Sequence, residues 1–246
     1  MKHWLVVVLC VTLLNLGRAL VAAPAFPIDR IPTAAGDLEI TFIGHGTLML
    51  RWSGKVIHVD PWSKLADYSK LPPADLVLLT HHHYDHLDQE ALARISAEKT
   101  TVVMPAVCAA SVPGGVVLAN GASYTWEGLT IEAVPAYNRQ HMREPGQPYH
   151  PKGEGNGYVL TLGGTRVYIA GDTEDVPEMA ALRHIDVAFL PMNLPYTMTP
   201  EMVASAARAF QPKILYPYHY GETDPQKLVD LLADLKLVDV RIRPMK

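Results

Sequence analysis

The sequence predicts a single α/β domain of layered, mixed β-sheets, and three observations carry that prediction. Strands at hairpin spacing come first, strand and helix signals alternate later, and one continuous apolar run reads as a strand buried on both faces. Composition agrees: 49% hydrophobic and 19% charged residues is a globular balance, and 246 residues suffice for one large core. No repeat, linker or low-complexity segment divides the chain, so residues 26–246 are read as one domain.

Residues 1–25 (MKHWLVVVLCVTLLNLGRALVAAPA) are set apart from that domain. A short basic start is followed by an apolar run, Leu5 to Leu14, too short and poorly flanked to span a membrane well. Ala23-Pro24-Ala25 fits a small-residue cleavage pattern, as in a secretory signal peptide. The expectation is an exported protein of the bacterial periplasm, with no stable membrane span once the leader is cut; an uncleaved anchor is the alternative. Cleavage removes Cys10 and leaves Cys108 alone, so no internal disulfide is expected. The small apolar flanks of Cys108 suit a buried, inert thiol.

Leu38–Ile43, Thr47–Trp52 and Lys55–Val59 read as strands, the last two joined by a Ser53-Gly54 turn. Asp75–Thr80, after Pro72-Pro73, is the strand buried on both faces. Asp88 caps a helix expected to run to about Glu98, with Leu92 and Ile95 on one face. Thr101–Met104, Val116–Leu118 and Leu129–Val134 follow as short strands. Residues 135–156, rich in proline and glycine, form a long polar loop, and such loops are usually functional. Tyr158–Leu162 and Arg166–Ala170 pair across Gly163-Gly164, and Ile185–Leu190 and Lys213–Tyr216 add two strands. Thr199-Pro200-Glu201 starts one helix and Asp224-Pro225 another, expected over Lys227 to Leu237.

Histidine is the unusual residue: of 11 copies, four lie between residues 81 and 86. The run Thr80-His81-His82-His83-Tyr84-Asp85-His86 follows directly on the buried strand, where α/β proteins place their sites. His81 and His83 are two apart, so extended backbone points them to one side. Imidazole nitrogen beside carboxylate oxygen suits Zn²⁺ and related ions. Asp172, in Ala-Gly-Asp-Thr, and His219, in Tyr-Pro-Tyr-His-Tyr, also sit at strand ends and are placed like ligands. A helix cap competes for Asp172 and aromatic packing for His219.

His81-x-His83-x-Asp85-His86, a downstream histidine, Asp172 in a Gly-Asp-Thr turn and the late His219 resemble the metallo-β-lactamase-fold hydrolases in order and spacing, over roughly residues 38–220. More narrowly, Ile43-Gly44-His45-Gly46, Pro135-Ala136-Tyr137-Asn138, His150-Pro151-Lys152-Gly153 and Tyr216-Pro217-Tyr218-His219 resemble the branch containing ascorbate-6-phosphate lactonase and N-acyl-phosphatidylethanolamine phospholipase D. The resemblance implies a four-layer αββα sandwich of two mixed β-sheets with two divalent metal ions at one edge. His81, His83 and a third histidine would hold one ion, Asp85, His86 and His219 the other, with Asp172 between them. His150 matches the third position by motif; His141, nearer the preceding strand, competes. Zn²⁺ is the expected ion and Mn²⁺ the alternative.

The activity this implies is an exported dinuclear hydrolase that attacks an ester, lactone or phosphodiester of a small molecule with a metal-bridging hydroxide. Asp85 would orient the hydroxide or take its proton, and His45 would donate to substrate or support a ligand. Arg139, Arg143 and Lys152 are candidate anchors for a phosphodiester. Tyr137, Asn138, Asn193, Tyr196 and Tyr218 read as loop braces, and His82 and Tyr84 should face away from the ligands. β-Lactam hydrolysis is a side reading, because Cys108 is out of place for a ligand. A net charge of −4 without a basic run gives no footprint for nucleic acid. A periplasmic metal-binding or sensing protein without turnover is the alternative from another class.

Overall fold

The computed structural model describes residues 26–246, and the leader reading lies outside them. Seven strands form the first sheet in sequence order: β1 (Ile28–Ile31), β2 (Leu38–Gly44), β3 (Thr47–Trp52), β4 (Lys55–Val59), β5 (Ala74–Leu78), β6 (Ser96–Met104) and β7 (Val116–Val117). Its first three junctions are antiparallel and its last three parallel. The second sheet repeats that plan. It comprises β8 (Ser123–Trp126), β9 (Leu129–Ala136), β12 (Gly155–Leu162), β13 (Thr165–Ile169), β14 (Val187–Pro191), β15 (Ile214–Tyr218) and β16 (Asp239–Val240), with β8 at one edge and β16 at the other. A small hairpin, β10 (Met142–Glu144) with β11 (Gln147–Pro148), rises between β9 and β12. Three helices complete the elements that matter below: α1 (Gln89–Ile95), α2 (Pro200–Phe210) and α3 (Gln226–Leu231).

Side-chain alternation sets the layers. Leu76 and Leu78 of β5 point into the core between the sheets, while Val77 and the following Leu79 pack outward on Ala91, Leu92 and Ile95 of α1. A strand with two apolar faces therefore reads as an unbroken apolar run. On the other side, Tyr168 of β13 meets Phe210 of α2 edge-on at 5.8 Å. Between the sheets, Phe189 stacks on Tyr216 at 5.1 Å and meets Phe42 of the opposite sheet at 6.3 Å. The order is helix, sheet, sheet, helix, the expected four-layer αββα sandwich. The expected caps form as well. Asp88 accepts from the backbone N–H groups of Glu90 and Ala91, and Thr199 from that of Met202.

Element boundaries shift where tertiary pairing competes with local preference. Helix α1 stops at Ile95, short of Glu98, because Thr100 accepts from the Ala97 N–H and donates to the Ala74 carbonyl, tying the chain to β5. Helix α3 stops at Leu231, short of Leu237, and the chain turns so that Val238 is buried and Asp239–Val240 pairs with β15. The loop at 135–156 contains the end of β9, the β10–β11 hairpin and the start of β12. Strands β1, β8 and β16 went unread because runs of two to four residues carry too little periodicity.

Replacing Phe189 by alanine should cost about 3–5 kcal/mol, since it empties the volume where the sheets meet. Urea unfolding checks this; a loss below about 1 kcal/mol would contradict the packing described.

Candidate metal centre

Strands β2, β4, β5, β9, β13 and β15 all release the chain at one edge of the sandwich, and the polar residues gather there. His45 follows β2, Asp60 follows β4, His81–His86 follow β5, Asn138 follows β9, Asp172 follows β13, and His219 follows β15. His45, Asp60 and His219 adopt left-handed backbone, with φ of 52°, 43° and 45°. That conformation costs a non-glycine residue about 1 kcal/mol, and here it turns each side chain back over the sheet edge. Two glycines make room. A Cβ on Gly46 would lie 2.8 Å from the His86 ring, and one on Gly171, at φ 65°, would lie 2.9 Å from both the Asn156 carbonyl oxygen and the Thr80 side chain.

The side chains form two groups that share a carboxylate. In the first, the Nε2 of His81 and the Nδ1 of His83 approach to 3.1 Å, and His150 completes the cluster. In the second, His86 and His219 bring Nε2 to within 3.8 and 3.7 Å of Asp85 Oδ2. Asp172 touches both. Its Oδ2 lies 3.9 Å from His81, 3.4 Å from His150 and 3.5 Å from His219, while Oδ1 lies 3.5 Å from His86.

Neighbouring groups fix which nitrogen faces inward. His86 donates from Nδ1 to Asp60 Oδ2 at 2.8 Å. Thr80 gives its hydroxyl proton to the same carboxylate, so its oxygen is left to accept from His81 Nδ1 at 3.0 Å. His150 donates from Nδ1 to Asn138 Oδ1 at 2.6 Å. In all three rings the outer nitrogen holds a proton and Nε2 points to the centre, as a lone pair wherever the ring is neutral; on His86 a bound cation would take the place of the Nε2 proton. His86 Nε2, His150 Nε2, His219 Nε2 and Asp172 Oδ1 are buried without a hydrogen-bond partner. An unsatisfied buried polar atom costs about 1–3 kcal/mol. Acceptors turned toward acceptors are satisfied by cations, so this donor set fits divalent metal.

Charges within the cluster support that reading. Burial opposes the Asp172 carboxylate, but the surrounding rings of His219, His86 and His150 hold its carboxyl well below the usual range. Burial likewise opposes Asp85, and contacts with His219 and His45 outweigh it and keep the group ionised. His86 is also penalised by burial, yet the Asp172 and Asp60 carboxylates raise it to about 10. Burial drives His81 well down, and burial with the nearby His150 lowers His83 to about 4.

His81, His83, Asp85, His86, His150, Asp172 and His219 are thus brought together, and the competing His141 is not. Its Nδ1 donates to the Thr197 carbonyl at 2.8 Å, because Glu174 accepts the backbone N–H groups of Arg139, Gln140 and His141 and wraps that loop around itself. His45 lies 3.1 Å from Asp85 Oδ2 and packs tilted against His219 with ring centroids 3.6 Å apart. Burial lowers its pKa despite Asp85. Of the loop cations, Lys152 is tied to Glu178 at 2.7 Å and Arg139 to the Asp175 carbonyl, which leaves Arg143 at the cleft. His82 is exposed, and Tyr84, expected to face away, lines the cleft.

Three supporting residues escaped the sequence reading: Asp60, Thr80 and Glu174. Asp60 had a usable signal, since Val59-Asp60-Pro61 ends a strand with an acid, the placement that marked Asp172. Asn138 was read as a loop brace and is one: its Oδ1 carries the His150 ring, and its Nδ2 donates to Glu174 and to the Tyr196 carbonyl. The centre opens into a cleft of about 450 Å³ walled by Trp62, Tyr84, Tyr149 and Tyr196, a size suited to a small molecule. Cys108 is buried under α1 in the outer cluster, where burial pushes its thiol up to about 12.

Comparison with known proteins identifies the family to which this fold belongs. The family model for the Beta-lactamase superfamily domain matches residues 39–219. The chain is similar to a UPF0173 metal-dependent hydrolase of Thermococcus kodakarensis, at 31% identity over 214 residues, covering 80% of this chain and 93% of that one. It is also similar to a crystallised candidate metal-dependent hydrolase of Parabacteroides distasonis, with a TM-score of 0.86 and 49% identity over 90% of this chain and all of that one. The metallo hydrolase Igni18 of Ignicoccus hospitalis superposes with a TM-score of 0.70 at 26% identity, covering 85% and 96% of the two chains.

Asp60→Asn should bring the His86 pKa down by at least about one unit, because a charged acceptor on Nδ1 becomes neutral. Nitrogen-15 NMR titration of the imidazoles in chelator-treated protein reads this directly; an unmoved His86 would mean that Asp60 does not set its charge.

Proposed function

Because the chain belongs to the β-lactamase superfamily and is a metal-dependent hydrolase, we propose that it works with two divalent ions on a small-molecule ester, lactone or phosphodiester. The observation that carries this reading is Asp172, whose two oxygens face both ligand groups at once. His81, His83 and His150 would hold one ion, Asp85, His86 and His219 the other, with Asp172 shared. Zn²⁺ suits so nitrogen-rich a set and Mn²⁺ is the alternative. Bound there, such ions supply Lewis-acid polarisation of a carbonyl or phosphoryl oxygen and lower the pKa of water.

The chain's own residues do the rest. Asp85, ionised across the neutral range, accepts a hydrogen bond from the attacking water and can take its proton. His45 donates from Nε2 to Asp85 and decides which carboxylate oxygen faces the cleft, so it is a positioning residue. Glu174 and Asn138 hold the loop that carries His150. Burial of Cys108 away from the centre argues against the cysteine-liganded type of β-lactamase site. The apolar start of the sequence further supports export to the periplasm, which cell fractionation would check.

Metal analysis of the untagged protein should find two ions per chain. Turnover of a panel of nitrophenyl esters, lactones and bis(nitrophenyl) phosphate should stop with chelator and return with metal. Asp172→Ala should lose metal and turnover together; full activity with metal content unchanged would sink the scheme. Two ions without turnover would favour a binding or sensing protein.

His150→Ala should reduce the metal content toward one ion per chain, whereas His141→Ala should leave it at two. The reverse pattern would transfer the ligand role to His141.

A further inference from the structure

Arg143 lines the cleft and rests on one of its aromatic rings, and Lys64 rests on two others of the rings that wall it. On one wall the Arg143 guanidinium lies 5.7 Å from the Tyr149 ring centroid, and Tyr149 meets Tyr196 edge-on at 5.0 Å. On the other, the Lys64 ammonium lies 5.2 Å from the Trp62 ring and 5.6 Å from that of Tyr84, which meet edge-on at 5.9 Å. Each wall joins the centre directly: Tyr149 precedes His150, Tyr84 lies between His83 and Asp85, and Trp62 packs on His45 at 5.1 Å. Tyr84 is 70% exposed and Tyr196 45%, so both rings are accessible from the cleft.

Among the described residues, neither Arg143 nor Lys64 forms an ion pair or a side-chain hydrogen bond; Arg51, Lys99 and Lys227 share that state, but only Arg143 and Lys64 lie against the aromatic walls of the cleft. The acids lining the cleft, Asp85 and Asp172, are engaged with histidines. Uncompensated positive charge over aromatic walls recognises an anion on a flat or apolar body.

Resting on the hydrolase reading above, we propose that the substrate is a small anionic ester or lactone whose carboxylate or phosphate, remote from the scissile bond, is gripped by Arg143, with Lys64 assisting from the other wall. Its flat or apolar body lies between Tyr149 and Tyr196 on one side and Trp62 and Tyr84 on the other. Arg143 and Lys64 then decide specificity and take no part in bond breaking.

The test uses the metal-loaded protein and follows tryptophan fluorescence, with Trp62→Phe as the control that removes the signal. The probes are phenylphosphonate, benzoate and the uncharged benzyl alcohol. Both anions should bind more tightly than the alcohol, and rising salt should weaken the anions alone. Arg143→Gln should weaken anion binding about 10-fold and leave the alcohol unchanged. Lys64→Gln should act the same way but less, and Arg143→Lys should recover part of the loss. The tighter anion names the group recognised. The inference is overturned if Arg143→Gln leaves phenylphosphonate affinity within about twofold, if the alcohol binds as well as benzoate, or if none of the three binds. Anion selectivity without any turnover would count against the hydrolase reading alone; turnover without anion selectivity would count against this inference alone.

Discussion

One buried carboxylate organises the active edge of this molecule. Asp172 keeps its charge where burial opposes it, because four imidazoles converge on its two oxygens. The strand-end turns serve that convergence. Left-handed backbone at His45, Asp60 and His219 points three side chains over the sheet edge, and Gly46 leaves room for the His86 ring. Those conformations are unfavourable in isolation and persist because two packed sheets over-determine them.

A second set of residues decides the protonation of the first. Asp60 and Thr80 take the outer protons of His86 and His81, and Asn138 takes that of His150. The three Nε2 atoms then already face inward when a cation arrives, and only the Nε2 proton of His86 has to leave. Glu174 extends the brace by gathering three backbone N–H groups of the loop that carries Asn138. The cleft above is walled by Trp62 of the β4–β5 loop, by Tyr196 of the loop after β14, and by Tyr84 and Tyr149, which are immediate neighbours of the metal-ligand candidates His83, Asp85 and His150.

The layered α/β plan with mixed sheets was legible because β5 is apolar on both faces and because turn residues separated the hairpins of both sheets; the αββα order came from the resemblance. The His81–His86 run was legible because an extended strand end fixes which of its side chains share a side. Asp172 and His219 were legible as strand-end residues and by resemblance. Thr80, Glu174 and Asp60 were not, since each acts through a partner at least 20 residues away in sequence or through a backbone group that no local pattern displays. The β10–β11 hairpin and the edge strands β1, β8 and β16 were missed for lack of length, whereas the edge strand β7 was read at Val116–Leu118.

By itself, the sequence determined most of the sheet-forming segments, the helix caps and the strand-end placement of His81–His86, Asp172 and His219, because these follow from local periodicity, side-chain chemistry and spacing. Tertiary structure decided the rest. It placed His150 in the cluster and turned His141 to Thr197, tied Lys152 and Arg139 to other partners, and left Arg143 and Lys64 against the aromatic walls of the cleft. Pairings of that kind depend on distances between segments far apart in the chain, and those distances exist only once the two sheets have packed.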